Sequence, residues 1–324
     1  MNKRLHLFFF TNTPTPSHKM KKRYYILTLL CTIACLTACN KDENVTPKQK
    51  GDNPLTLIGN EAKAYMQRME VPVVKDQSMF IVHSTNKYGV TYTEEWDKEQ
   101  KTQRWAAYSI TDQNAVSNWS RQNWNGTIWK GAYYDGDPFQ EDSIIPLAYR
   151  TRLSDYYNSG FTRGHICASA DRTFSDEANQ QTFYFTNMQP QYYNFNGGSN
   201  YDGLWVQMEN QVRNWVTKSK GDILYVVKGG TIDNTDQILM RIKGEMIVPR
   251  YFYMAILCKN TLGYKALAFW AEHVTTTEPK ADLGKHVITI DELEKRTGID
   301  FFCNLPDTEE EKVESKVALN TWGL

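Results

Sequence analysis

The amino-acid sequence predicts an α+β fold in which helices pack on a central, largely antiparallel sheet. Two observations carry this. The strand-like runs come in groups and do not alternate with helices, which favours antiparallel pairing over β-α-β crossovers. One long segment, 202–218, has its apolar residues at helical spacing.

Taken in order, residues 60–69 read as a helix, and the runs 79–84, 88–97 and 102–111 read as strands rich in aromatic and β-branched residues such as Thr91, Tyr92, Trp105 and Tyr108. Residues 112–160 are polar and aromatic, with many Asn, Gly and Asp, and read as long loops carrying short elements, where functional groups tend to sit. In 202–218, Asp202 is the expected N-cap, and Leu204, Met208, Val212 and Trp215 form the apolar stripe. Trp205, Glu209 and Arg213 run beside it, four residues apart. Strands follow at 222–231, 240–258 and 264–271, punctuated by Gly229-Gly230 and Pro249. Helices at 291–297, closed by Gly298, and at 307–321 complete the chain.

Domain organisation follows from composition. The 324 residues are 41% hydrophobic and 13% aromatic, enough apolar material for a large core. Lys21-Lys22-Arg23, an apolar run over 24–33 and then Leu36-Thr37-Ala38-Cys39 resemble a lipoprotein signal peptide, with Cys39 the lipidated residue. Residues 1–38 are therefore the expected signal, with Met20 a second candidate start. Residues 39–52 are polar and read as a flexible tether, and 53–324 as one domain without repeats. The expected location is the outer membrane of a Gram-negative bacterium, on the periplasmic or the cell-surface face. Asn40-Lys41-Asp42-Glu43 resembles the acidic tag of surface-exported lipoproteins.

The full chain has 37 bases and 37 acids; residues 1–38 hold six of the bases and no acid, so the remainder carries 31 against 37, formally −6. A net-acidic chain lacks the global electrostatic footprint of a nucleic-acid binder, so any such function requires a local basic cleft. Past Cys39 three cysteines remain, Cys167, Cys258 and Cys303. Export permits a disulfide, and Cys258 with Cys303 is the expected pair because both end apolar, strand-like runs. Cys167 reads as a small buried hydrophobe.

The chain contains no P-loop, GxGxxG, GxSxG, HExxH or paired CxxC, which disfavours nucleotide hydrolases, dehydrogenases, α/β-type serine esterases and zinc proteases. It does contain Phe161-Thr162-Arg163-Gly164-His165, then Asn187-Met188-Gln189-Pro190-Gln191, then Asn196, and a helix carrying Trp205, Glu209 and Arg213. In this order these motifs resemble the DNA/RNA non-specific endonuclease family, the ββα-metal nucleases marked by a D-R-G-H motif, with Thr162 in the place of the aspartate. The likeness runs across about residues 79–305 and includes Trp105-Ala106-Ala107-Tyr108 and the strand at Val248-Pro249.

The resemblance implies a ββα-metal fold and a sugar-nonspecific endonuclease acting on DNA and RNA. It implies His165 as general base, Asn196 as the single protein ligand of Mg²⁺ (Mn²⁺ and Ca²⁺ also accept oxygen ligands) and Glu209 as the acid holding the metal's waters. Asn187, Arg163 and Arg213 are implied to support the metal shell or contact phosphate. Gly197–Asp202 reads as an insertion after Asn196, which leaves Asn194 as the alternative ligand. Arg121, in an Asn- and Trp-rich loop, is a further candidate for phosphate contact. Elementary chemistry agrees: a neutral imidazole can take a proton from water, and an arginine fork matches phosphate oxygens. The alternative expectation is a surface lipoprotein that binds nucleic acid or another polymer without cleaving it.

Overall fold

The computed structural model describes residues 56–129 and 131–324. The expectations for the signal segment, Cys39 and the tether lie outside the described residues. The chain opens with β1 (Leu57–Ile58), α1 (Gly59–Lys63), β2 (Met79–Thr85), β3 (Gly89–Asp97) and β4 (Thr102–Thr111). A long excursion follows, containing β5 (Asn125–Trp129), β6 (Ala132–Asp135), α2 (Leu153–Tyr156), β7 (Thr162–His165), α3 (Asp176–Gln181), β8 (Met188–Gln191), α4 (Tyr193–Asn196) and α5 (Leu204–Lys218). The chain then forms β9 (Ile223–Gly230), β10 (Ile238–Ile242), β11 (Met246–Pro249), β12 (Tyr251–Asn260), β13 (Gly263–Glu272), β14 (Val287–Ile288), α6 (Ile290–Thr297) and α7 (Asp307–Glu314).

Eight strands form the main sheet in the order β1-β2-β3-β4-β9-β12-β13-β14, and every neighbouring pair is antiparallel, as the grouping of strands predicts. The two-residue period of β12 sorts its side chains: Phe252, Met254, Ile256 and Cys258 face Leu204, Met208, Val212 and Val216 of α5. Tyr253, Ala255 and Leu257 face the other way, onto Leu293 of α6, Phe301, Phe302 and Val313 of α7. With both faces covered, β12 is apolar almost continuously, which is how a central strand reads. Because β4 pairs with β9, residues 112–222 form an excursion between two adjacent strands, and its Ile166, Cys167 and Phe195 pack with α5 on one face of the sheet.

Several expectations are corrected. The helix expected at 60–69 stops at Lys63 and continues as turns, and the run 240–258 breaks into a hairpin, β10 with β11, before β12. The helix expected at 307–321 ends at Glu314. Asp202 does not cap α5; the cap position is Gly203, because the chain there lies against the α4 backbone and a Cβ would come within 2.6 Å of the Phe195 carbonyl. The Cys258–Cys303 disulfide does not form. Both thiols are free, Cys258 facing α5 beside Asp222 while Cys303 lies on the opposite side of the sheet beside the Val71 carbonyl. Cys303 also ends no strand; it lies in the turn after α6. No helix among the described residues is long and apolar enough to cross a membrane.

Candidate active site

Two short strands and the helices after them carry the motif residues. β7 pairs antiparallel with β8, setting Thr162 opposite Gln191 and His165 opposite Met188, and α4 and α5 follow. Gly164 is required by close approach, since a Cβ there would collide with the buried Gln191 side chain. The excursion loop Gly197–Asp202 closes on itself, Gly203 N–H donating to the Gly197 carbonyl at 3.1 Å, so it leaves α4 and α5 in contact.

His165 stands in a recess of aromatic rings and positive charge. The Phe183 ring meets it edge-on at 5.0 Å and Phe139 lies at 5.9 Å, while the Trp205 indole N–H donates to its carbonyl at 3.1 Å. Its Nε2 is buried and has no hydrogen-bond partner among the described residues. Burial first, then Arg121, Lys228 and Arg163, hold the imidazole well below its ordinary pKa near 6.5, so at neutral pH it is uncharged and Nε2 can accept a proton. The Arg163 guanidinium lies 3.9 Å over the Phe139 ring; Arg121 lies 5.2 Å over Phe183 and pairs with Asp137, Nε to Oδ1 at 2.6 Å. The structure thus brings Arg121 and Arg163 to His165.

Asn196 is held by its amide nitrogen. The Thr162 hydroxyl donates to the Gln191 carbonyl at 2.9 Å and so has only lone pairs to offer Asn196 Nδ2, which donates to it at 3.0 Å. This orients Asn196 with Oδ1 free of protein partners among the described residues. An acceptor is what position 162 must supply, and threonine supplies it as an aspartate would. Asn194 turns elsewhere, its Nδ2 donating to the Thr275 carbonyl at 2.9 Å. His273 anchors the entry to α4: Tyr192 N–H donates to its Nε2 at 2.7 Å, its Nδ1 faces the Pro249 carbonyl at 2.9 Å, and burial lowers its pKa to about 4.

Glu209 and Arg213 do not pair with each other along α5. Glu209 accepts from Lys228 of β9 at 2.6 Å, and Arg213 bonds Asp171 at 2.6 Å. Tyr108 O–H donates to the other Asp171 oxygen at 2.7 Å. Burial would raise the Asp171 carboxyl, but Arg213 and Lys228 outweigh it and hold the group ionised below its ordinary range. Asn187 is fully buried and spends its side chain on backbone: Oδ1 accepts from Cys167 N–H at 2.7 Å, and Nδ2 donates to the Cys167 and Thr182 carbonyls at 2.8 Å each. It therefore fixes the chain just past His165. Cys167 itself is buried, its thiol pushed up to about 12 by burial, and is unreactive.

Lys228 is the residue that sequence reasoning missed. Its signal was a lone charge in the apolar run Ile223–Gly230, at the alternate position that points toward α5. A charge buried there requires a partner, and Glu209 is it.

Comparison with known proteins agrees with this architecture. Residues 77–308 match the DNA/RNA non-specific endonuclease family. A nuclease of Nostoc sp. strain PCC 7120 is 30% identical over 299 residues, covering 88% of this chain and 95% of that protein. The mitochondrial nuclease of Saccharomyces cerevisiae is 31% identical over 193 residues, covering 55% and 57%, and human mitochondrial endonuclease G is 26% identical over 183 residues, covering 53% and 59%. Among solved structures, a chain of the EndoG/EndoGI complex superposes with a TM-score of 0.55 at 18% identity, covering 70% of this chain and 87% of that one. The chain belongs to the DNA/RNA non-specific endonuclease family. Its fold is of the ββα-metal type and its enzymatic class is nuclease, in a metal-dependent family.

Proposed function

We propose that the protein is a sugar-nonspecific endonuclease that hydrolyses phosphodiester bonds of DNA and RNA with His165 as general base. One observation carries this reading: an imidazole nitrogen buried without a partner among the described residues, kept neutral by burial and by surrounding cations. As a purely structural group it would be costly. As a base it has a task, because a neutral Nε2 takes the proton of a water whose oxygen then attacks the phosphorus. Arg121 and Arg163, though partly engaged by Asp137 and by ring faces, supply local positive charge to a molecule that is acidic beyond residue 38. Contacts to phosphate and not to base edges read no sequence.

A hard divalent ion suits the donors on the α4–α5 pair: the Asn196 amide oxygen, which Thr162 leaves free, and the Glu209 oxygen that Lys228 does not engage. Asn196 would hold Mg²⁺ and Glu209 its waters. When bound, the ion supplies charge that stabilises the phosphorane and the departing 3′ oxygen. Outside the described residues, the segment ending at Cys39 supports export and lipid anchoring at the outer membrane of a Gram-negative bacterium, with 39–52 as a tether to a single domain.

The test is incubation of the purified protein with supercoiled plasmid and with RNA, in magnesium and in EDTA. The expected result is cleavage of both substrates in magnesium alone. Intact substrates with magnesium present would refute the reading.

A further inference from the structure

We infer that His83, Glu94 and Asp142 form a second, buried cation site, which takes one divalent ion of the zinc or manganese class and is separate from the donors on α4 and α5.

The three residues come from β2, β3 and the loop after β6. Their side chains are 0%, 0% and 3% exposed, and one ligand atom from each lies within 4.8 Å of the others. His83 Nε2 is 3.1 Å from Glu94 Oε1 and 3.6 Å from Asp142 Oδ2. Ligands at about 2.0–2.2 Å from a tetrahedral ion stand about 3.4 Å apart, so these edges already match an ion's coordination shell. The imidazole is fixed as a ligand would be. Its Nδ1 lies 3.3 Å from the Thr56 hydroxyl, and its ring is stacked between Tyr92 at 4.4 Å and Tyr184 at 5.3 Å, leaving Nε2 turned to the carboxylates.

Two features set this cluster apart from an ordinary ion pair. Glu94 Oε2 is buried with no hydrogen-bond partner among the described residues, although the residue is wholly inaccessible to solvent. The charges also fail to balance, since two buried carboxylates face one imidazole and even a protonated His83 leaves one buried negative charge. A divalent ion with a neutral imidazole neutralises both carboxylates, and a mixed N/O set favours transition ions over magnesium.

The ion would act as a staple. Asp142 also accepts from the Thr186 hydroxyl at 3.2 Å, and the adjoining Gln140 backbone bonds Phe183 and Phe185. The same loop carries Asp137 and Phe139, which hold Arg121 and Arg163. Binding at this site would tie that loop to β2 and β3.

The test uses the full chain purified in detergent, stripped with chelator, equilibrated separately with Zn²⁺ and Mn²⁺ and desalted, reading bound metal by mass spectrometry and thermal midpoint together. Wild type and Asn196→Ala are expected each to retain one equivalent of at least one of the two ions, with a raised midpoint. His83→Gln and Asp142→Asn are expected to weaken binding by about 100-fold or more and to lose the midpoint rise. Asp142→Asn removes a buried charge, so in chelator its midpoint should equal or exceed that of wild type, which separates ligand loss from misfolding. Substoichiometric retention of both ions by wild type overturns the inference, as does undiminished retention by the two variants.

Discussion

His165 carries the chemistry, and its environment fixes how activity depends on pH. A base must be unprotonated, and this imidazole is held well below 6.5, so the acidic limb of the rate profile should fall at a pH below 6.5. Arg121→Ala removes one of the cations that depress it and should move that limb to higher pH, with weaker substrate binding; profiles of kcat/KM for the two proteins check this, and an unmoved limb would separate Arg121 from His165. Thr162 offers a second prediction, because its lone pairs orient Asn196. Thr162→Val should raise the magnesium concentration needed for half-maximal rate, whereas Thr162→Asp, which keeps an acceptor, should stay near wild type; equal effects in a metal titration would refute that role. At this scale the sequence was legible where residues form a motif, as from Thr162 to His165. Lys228 is marked in the sequence only as a lone charge in an apolar run, and its pairing with Glu209 was not legible because Glu209 lies on another element.

The elements place these residues through close backbone approaches and buried pairs. A Cβ at Gly203 would stand 2.6 Å from the Phe195 carbonyl and 2.9 Å from the Asn196 carbonyl carbon, so Gly203→Ala must push α4 away from α5. We expect a loss of about 1–3 kcal/mol in urea denaturation, with lowered activity because Asn196 moves. Lys228→Met should cost about 3–5 kcal/mol, because it leaves Glu209 largely buried without its cation. The neighbouring double variant Lys228→Met with Glu209→Gln should recover part of that stability without activity, and failure to recover any would contradict the pairing. The central strands and α5 were legible because alternation and helical spacing are local signals. The cap of α5 was not, because Gly203 is demanded by the contact between α4 and α5 and no local rule shows it. The run 240–258 carries its own break, because Lys243-Gly244-Glu245 interrupts the apolar pattern where β10 turns into β11, a turn signal beside the Pro249 punctuation.

For the whole molecule, the antiparallel sheet buries both its faces, and this decides the fate of the thiols. Cys258 faces α5 while Cys303 lies on the other side, and burial pushes their pKa values up to about 12 and about 11. Alkylation of the denatured protein without reductant, followed by peptide mapping, should find both modified; a peptide linking them would contradict the sheet geometry. Sequence reading placed them together because it registers that two runs end in cysteine, not which face each presents. The fold also draws Arg121 and Arg163 of the excursion after β4 and Lys228 of β9 around one histidine, in a chain that is acidic beyond residue 38. The measurement that tests this account most directly is single-turnover cleavage of plasmid DNA and of RNA in magnesium by wild type and by His165→Ala. The account predicts that the variant, folded as judged by circular dichroism, is about 10²–10⁴-fold slower on both substrates. A variant within about threefold of wild type on either substrate would contradict it.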